Sequence, residues 1–309
     1  MKFERVLVTG TGGQLGSYVV AELDGQCKVS GFDVKPARSL IPQRIGDMTD
    51  PSAMTEACCG IDGVIHIAAR ANIWSSSGDD IVRTNTMGVW SVLTAAEAAG
   101  VKRVVLCSSD SVVGFTVMSG MLTPPDYLPI DAAHPLRATD PYAISKLLGE
   151  EIGRSFAGRG KLEILVLRPV FILYPEMQAE VKARAADPGG YRGPQAGGPN
   201  PAGGGPVWHY VDPRDAARAF RLALEIEKPR FTAYFISAQT TLAPESTLDR
   251  LRHYLGHDTP VRRPQVYLRN PFAPLYDLEA ARDELGYEAQ HDLRPLVYAD
   301  APMAVASER

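Results

Sequence analysis

Two hydrophobic periods alternate along the chain. The β-branched run Val6-Leu7-Val8 is followed by Leu15, Val19, Val20 and Leu23 at helical spacing, which predicts strand, tight turn and helix. Residues 28–33 read as a second strand, and a short stretch ending Arg44-Ile45-Gly46-Asp47 as a third. Asp50-Pro51 opens a helix, with Asp50 as N-cap and the proline where its missing N–H costs nothing. The continuous apolar run at 64–69 suits a strand covered on both faces. A long helical pattern follows from about 79 to 99, closed by Gly100 in the C′ position. Residues 104–109 form the fifth strand, and Asp140-Pro141 opens a helix to about Phe156. A sixth strand at 162–167 is stopped by Arg168-Pro169. Strand and helix alternate throughout, which predicts an α/β fold built on a doubly wound parallel sheet.

That rhythm breaks at 187–206, where eight glycines and five prolines fall within twenty residues. Such composition forms neither helix nor strand, and it reads as a disordered insertion or as a lid over a substrate cleft. A short extended piece resumes at 207–211, Asp212-Pro213 starts a helix to about Lys228, and 231–237 reads as a strand. Leu248, Leu251, Tyr254 and Leu255 mark a last helix before a mixed tail. The division expected is a dinucleotide-type domain at 1–170, rejoined by 207–240. Residues 171–206 and 241–309 then form a smaller C-terminal lobe, with neither internal repeats nor a second core of its own.

Bulk composition narrows the partners. The chain has 309 residues, 45% hydrophobic and 22% charged, with a net charge of −4. That balance excludes a nucleic-acid or anionic-membrane surface as the expected partner. The first strand begins so early that no signal peptide is expected, and no apolar run reaches the roughly 20 residues of a membrane span. Cys27, Cys58, Cys59 and Cys107 lack metal-ligand spacing, so free thiols in a reducing cytoplasm are expected and no metal.

The chemistry begins at Gly10-Thr11-Gly12-Gly13-Gln14-Leu15-Gly16. Glycines at a strand-to-helix turn let a phosphate approach the backbone and the positive end of the helix. Asp33 ends the second strand, where a carboxylate can accept both hydroxyls of an adenosine ribose and repel a 2′-phosphate. That favours NAD over NADP, although Lys35 and Arg38 nearby pull the other way. Asp47 is placed to meet the adenine amino group, with Met48 against the ring. Tyr142 and Lys146 stand one helical turn apart on one face. A tyrosine acts as a base near neutral pH only if its pKa falls by about three from its usual ~10, or about 4 kcal/mol. A lysine cation and a cationic nicotinamide push that way. Ser109, at the end of the fifth strand, can hold a substrate oxygen while Tyr142 removes or returns its proton.

With these residues placed, the chain resembles an extended short-chain dehydrogenase/reductase of the NAD-dependent epimerase/dehydratase family. The resemblance rests on Gly10/Gly13/Gly16, Asp33, Gly46-Asp47, His66-Ile67-Ala68-Ala69, Asn85, Ser108-Ser109 with Val112-Val113-Gly114, Tyr142 with Lys146, and Leu167-Arg168-Pro169. It implies a Rossmann-type sheet with a substrate-binding C-terminal lobe. Ser109, Tyr142 and Lys146 are the implied catalytic set, Lys146 also holding the nicotinamide ribose. NAD contacts are implied for Gly10, Gly13, Gln14, Leu15, Gly16, Asp33, Asp47, Met48, Ala68, Ala69, Arg70, Asn85, Pro169 and Val170. A homodimer through the two long helices is implied as well.

Departures from the family pattern bear on the reaction. Family dehydratases carry an acidic pair after the Ser/Thr, whereas Ser111 follows Asp110 here, so dehydration is not expected. Phe171 stands where nucleotide-sugar epimerases have asparagine, and Trp208 where they carry an arginine for the diphosphate. Each charge-assisted hydrogen bond forfeited there is worth about 1.5–3 kcal/mol. Phe171 and Trp208 are therefore expected to form an apolar substrate wall, with Arg262 and Arg263 available to an anion. The expectation is an NAD-dependent oxidoreductase acting on a secondary alcohol of a sugar, sugar acid or similar polyol. A nucleotide-sugar epimerase with retained NAD is the alternative, and a silent dinucleotide-binding regulator ranks behind both.

Overall fold

The computed structural model describes residues 2–115, 123–187, 208–227 and 231–298. Strand β1 (Arg5–Thr9) runs into helix α1 (Gln14–Leu23), then β2 (Lys28–Asp33), β3 (Gln43–Ile45) and α2 (Pro51–Ala57). Next come β4 (Gly63–His66), α3 (Gly78–Ala99), β5 (Arg103–Cys107), α4 (Pro141–Gly158) and β6 (Glu163–Pro169). After them lie α5 (Gln178–Ala186), α6 (Pro213–Glu225) and β7 (Phe231–Ile236). Helices α7 (Thr247–Leu255), α8 (Pro264–Arg269), α9 (Glu279–Leu285) and α10 (Arg294–Val297) close the described chain. None of the described helices is long and apolar enough to cross a membrane.

All seven strands are parallel, in the order β3-β2-β1-β4-β5-β6-β7. Val6 pairs with Val29 on one side and with Gly63 on the other, so the order reverses between β1 and β4. Ligands in such sheets bind beyond the carboxyl ends of the strands at this reversal. Successive strand residues face opposite sides, and both sides are covered. Val6, Val8, Ile65, Val105, Leu165 and Leu167 join α1, α6 and the C-terminal elements in one core. Leu7, Val64, Val104, Leu106, Ile164 and Val166 pack with α2, α3 and α4 in another. That is why the strands read as unbroken apolar runs. A small third cluster, including Leu173, Val181, Trp208, Tyr210 and Leu293, lies apart from both.

The helix signals hold in detail. Asp50 and Asp140 cap α2 and α4 ahead of their prolines, and Gly100 ends α3 in left-handed conformation at φ 75°. Strand ends differ. β4 stops at His66 rather than Ala69 because the N–H groups of Ile67 and Ala68 turn onto the Thr9 hydroxyl at 3.2 and 3.3 Å. β5 stops at Cys107, after which Ser109 caps a short 3-10 turn, Asp110–Val113. β6 instead runs through Pro169, which pairs with Ile236 while Val170 supplies the next N–H. α6 ends at Glu225, where Ile226 turns extended, three residues before the expected end. The glycine/proline stretch lies outside the described residues apart from Asp187.

One buried ion pair ties these elements together. The Glu150 carboxylate on α4 accepts two hydrogen bonds from Arg168 at the end of β6, at 2.9 and 2.6 Å, and one from the Ser108 hydroxyl beyond β5. Both charged side chains are at most 3% exposed. Removing one partner of a buried pair strands the other, at a cost of about 3–5 kcal/mol. Glu150→Ala should lower unfolding free energy by about that amount in urea titrations; an unchanged midpoint would refute the clamp.

Candidate active site

At the reversal point the strand ends open into a cleft of about 550 Å³. One half is backbone-lined. Gly10 takes φ 86°, and a Cβ there would lie 2.7 Å from the Ala68 nitrogen. A Cβ on Gly16 would lie 2.1 Å from the Gly10 carbonyl oxygen, so the turn closes only around glycine. Gly13 is the N-cap of α1 and no side chain caps the helix, which leaves its first N–H groups for an anion. Asp33 accepts the Gly12 and Lys35 N–H groups, each at 2.9 Å, which fixes its carboxylate beside the turn. Gln14, Leu15, Asp47, Met48, Ala68, Ala69, Arg70, Pro169 and Val170 also line this cleft. The uncapped helix end, the Cβ-free cradle and the fixed acid fit a dinucleotide.

The other half is side-chain-lined. Tyr142 lies in the first turn of α4, and Lys146 one turn on donates to the Cys107 carbonyl at 2.8 Å, with its nitrogen 5.6 Å from the Tyr142 ring centre. The Ser109 hydroxyl donates to Asp110 at 3.2 Å and accepts the Ser111 N–H at 3.1 Å. The other Asp110 oxygen accepts the Tyr276 hydroxyl at 3.0 Å. Tyr276 stacks on Phe235 at 4.6 Å and leans on His209 at 4.9 Å.

Burial dominates the titration of these groups. It holds the Tyr142 phenol well above its ordinary value, with negative neighbours adding and Ser109 opposing. The lowering expected from Lys146 is therefore not provided by the protein itself, because desolvation outweighs a cation whose own pKa burial lowers. Asp110 is pushed up to about 7 by burial, and His209 down to about 3. His66 is also lowered to about 3 by burial, and its Nδ1 meets the Thr9 hydroxyl at 2.8 Å.

Several expected site residues lie elsewhere. Asn85 is behind the wall: its Oδ1 accepts the Arg70 N–H at 2.7 Å, and its Nδ2 donates to the Arg70 carbonyl and to Ser145. It positions the cleft without lining it. Phe171 lines the cleft, but Trp208 does not. Its backbone is left-handed at φ 54°, and its ring is buried between the Arg184 and Arg250 guanidiniums at 5.3 and 5.9 Å. His209 lines the cleft instead. Arg262 stacks on Tyr127, and Arg263 pairs with Asp277, so neither lines the cleft. Sequence reasoning missed His209, Trp74 and Tyr276. A large aromatic in the polar stretch 72–77 was the available signal for Trp74. Tyr276 meets Asp110 across 166 residues and gave none. Among the described residues no cluster of His, Cys, Asp or Glu is placed to hold a metal ion.

A doubly wound sheet with a glycine turn, a strand-end acid and a Ser/Tyr/Lys cleft defines a dinucleotide-dependent enzyme of the short-chain dehydrogenase/reductase type. The model of the NAD-dependent epimerase/dehydratase family matches residues 6–236; the chain belongs to that family, and NAD is its cofactor. Over 178 residues it is 34% identical to an L-arabinose 1-dehydrogenase (NAD(P)(+)) of Haloferax volcanii, covering 55% of this chain and 67% of that one. It is 29% identical over 171 residues to a uronate dehydrogenase of Pseudomonas putida, covering 54% of this chain and 60% of that one. These matched segments thus span about three-fifths to two-thirds of the curated relatives. A short-chain dehydrogenase/reductase superfamily protein of Agrobacterium tumefaciens, solved with bound NAD, superposes with a TM-score of 0.71 at 25% identity. That superposition covers 96% of this chain and 95% of the other.

Because a Cβ at Gly16 must displace the Gly10 carbonyl, Gly16→Ala should weaken NAD binding by about tenfold or more in calorimetric titration. Full affinity in a folded Gly16→Ala protein would move the phosphate site off this turn.

Proposed function

We propose that the protein is an NAD-dependent dehydrogenase acting on a secondary alcohol of a sugar, sugar acid or similar polyol. What carries this reading is the convergence of Tyr142, Ser109 and Lys146 at the end of a cleft shaped for a dinucleotide. Tyr142 takes the alcohol proton during oxidation and returns it in the reverse direction. Ser109, which lines the same cleft as the phenol, holds the substrate oxygen. Lys146, fixed by the Cys107 carbonyl, stabilises the phenolate and meets the ribose. The glycine turn and Asp33 hold the pyrophosphate and adenosine ends. NAD, when bound, exchanges hydride with the substrate carbon and brings positive charge near the phenol in its oxidised form.

Stoichiometric NADH formation from a free sugar tests the reading; turnover of nucleotide sugars alone, without net NADH, would replace it with epimerisation. Tyr142→Phe should abolish turnover and leave NAD affinity unchanged. A phenol raised above its ordinary value is protonated across neutral pH. Oxidation, which needs the phenolate, should therefore accelerate with pH from 7 toward about 10, while reduction uses the phenol as it stands. A flat oxidation profile would remove Tyr142 from the role of base.

The same reading extends to assembly and place. Met87 and Trp90 on α3, with Ile144 and Leu148 on α4, are 36–44% exposed on two helices that pack together. This apolar face suits a second copy of the chain. Met87→Glu with Leu148→Glu should convert a dimer to a monomer in light scattering; an unaltered dimer would place the interface elsewhere. Four free cysteines support a reducing cytoplasm.

A further inference from the structure

The charge lining the cleft points to the substrate. Among the described lining residues only Arg70 and Lys146 are cationic, against Asp33, Asp47 and Asp110. Arg70 pairs with Asp80 at 2.9 Å, and Lys146 is directed to the Cys107 carbonyl beside Tyr142. His209 is not an anion anchor: its Nε2 accepts the Leu275 N–H at 3.0 Å, so the ring stays neutral and carries its proton on Nδ1. Its lowered pKa agrees. A carboxylate or phosphate entering beside Ser109 would thus meet the Asp110 carboxylate and no free guanidinium from Arg262 or Arg263. What the cleft does offer is hydroxyl and imidazole N–H groups beside the aromatic faces of Trp74 and Phe171.

Resting on the dehydrogenase reading above, we propose that Asp110 is a specificity-determining residue that rejects anionic substrates, so that the substrate is an uncharged sugar or polyol. The carboxylate is held in place by Ser109 and Tyr276, and like charge at contact distance in a part-buried cleft is weakly screened. The ionisable groups that act on it are Tyr276 and, from α4, Tyr142; Lys146 is tied to the Cys107 carbonyl and His209 packs on Tyr276. None of them is a paired cation for it. Because burial raises Asp110 to about 7, it is ionised above that pH and neutral below. Rejection of anions therefore strengthens as pH rises through 7.

The test is kcat/KM with NAD for neutral aldoses against the matching uronic acids, in the wild-type protein and in Asp110→Asn. The neutral sugar should be preferred by about tenfold or more at pH 8, less at pH 6, and the preference should shrink about tenfold in Asp110→Asn. A uronate preference in the wild type, or a ratio unmoved by both pH and Asp110→Asn, overturns the proposal and leaves the dehydrogenase reading standing. If no sugar of either class yields NADH, the dehydrogenase reading fails. Thermal shifts of the NAD-loaded protein with the same ligands then decide the charge preference by themselves. A larger shift with the neutral sugar supports it; an equal or larger shift with the uronate, or no shift with either, overturns it.

Discussion

The geometry of the cleft depends on one buried carboxylate. Glu150 sits one helical turn beyond Lys146 and two beyond Tyr142, and it grips Arg168 on β6 and Ser108 beyond β5. A helix against a sheet can slide or rotate by small amounts at little cost when only apolar groups meet. A bidentate ion pair cannot, because each displacement exposes charge to an apolar surround. The clamp therefore transmits the positions of two strand ends to the helix that bears the phenol. Lys146 adds a second tie through the Cys107 carbonyl, and Asn85 a third by joining Ser145 to the Arg70 backbone. Together these three ties fix α4, and with it Tyr142, against the strand ends. Against an apolar replacement the buried pair gains little stability, but losing one partner strands the other, so it holds position.

The same burial sets the electrostatics. Desolvation is the first cause of every resolved shift at the reacting end: Tyr142 and Asp110 rise, while Lys146 and His209 fall. Each change favours the uncharged form. The cleft thus suppresses its own charges, and a cation arriving beside Tyr142 acts where water screens it least.

How much of this was legible in the sequence follows the same physics. The parallel sheet, helix caps and glycine turn rest on local rules: a proline after an aspartate, a glycine at positive φ, apolar runs covered on both faces. Asp33, Tyr142, Lys146 and Ser109 were readable because each sits at a strand end or within the first turns of a helix, where spacing determines facing. Strand ends were less legible, since β4 and β5 stop where side chains such as Thr9 and Ser109 capture the backbone. Spacing shows the lysine beside Tyr142 and hides the burial that raises the phenol in the protein alone. Trp208 failed for a local reason. A tryptophan at φ 54° is a conformation costing about 1–2 kcal/mol that no propensity predicts. It turns the indole into the third cluster and leaves His209 on the cleft.

This difference in legibility divides the cleft into two halves built by different means. The cofactor half rests on seven hydrogen-bonded parallel strands, so a change there disturbs ladders shared with the whole core. The substrate half is assembled from isolated bridges, Ile172 to Val211, Ile130 to Tyr276 and Leu128 to Val261. Single side chains complete it: Tyr276 on Asp110, Leu275 on His209, Phe171 on the wall. Such contacts are few per residue, so exchanging one alters the pocket without unzipping a strand. A change in that part of the lining therefore leaves the strand ladders of the other half intact. Phe171 is a departure of that kind in a chain whose glycine turn, Asp33 and Tyr142/Lys146 pair follow the family's pattern.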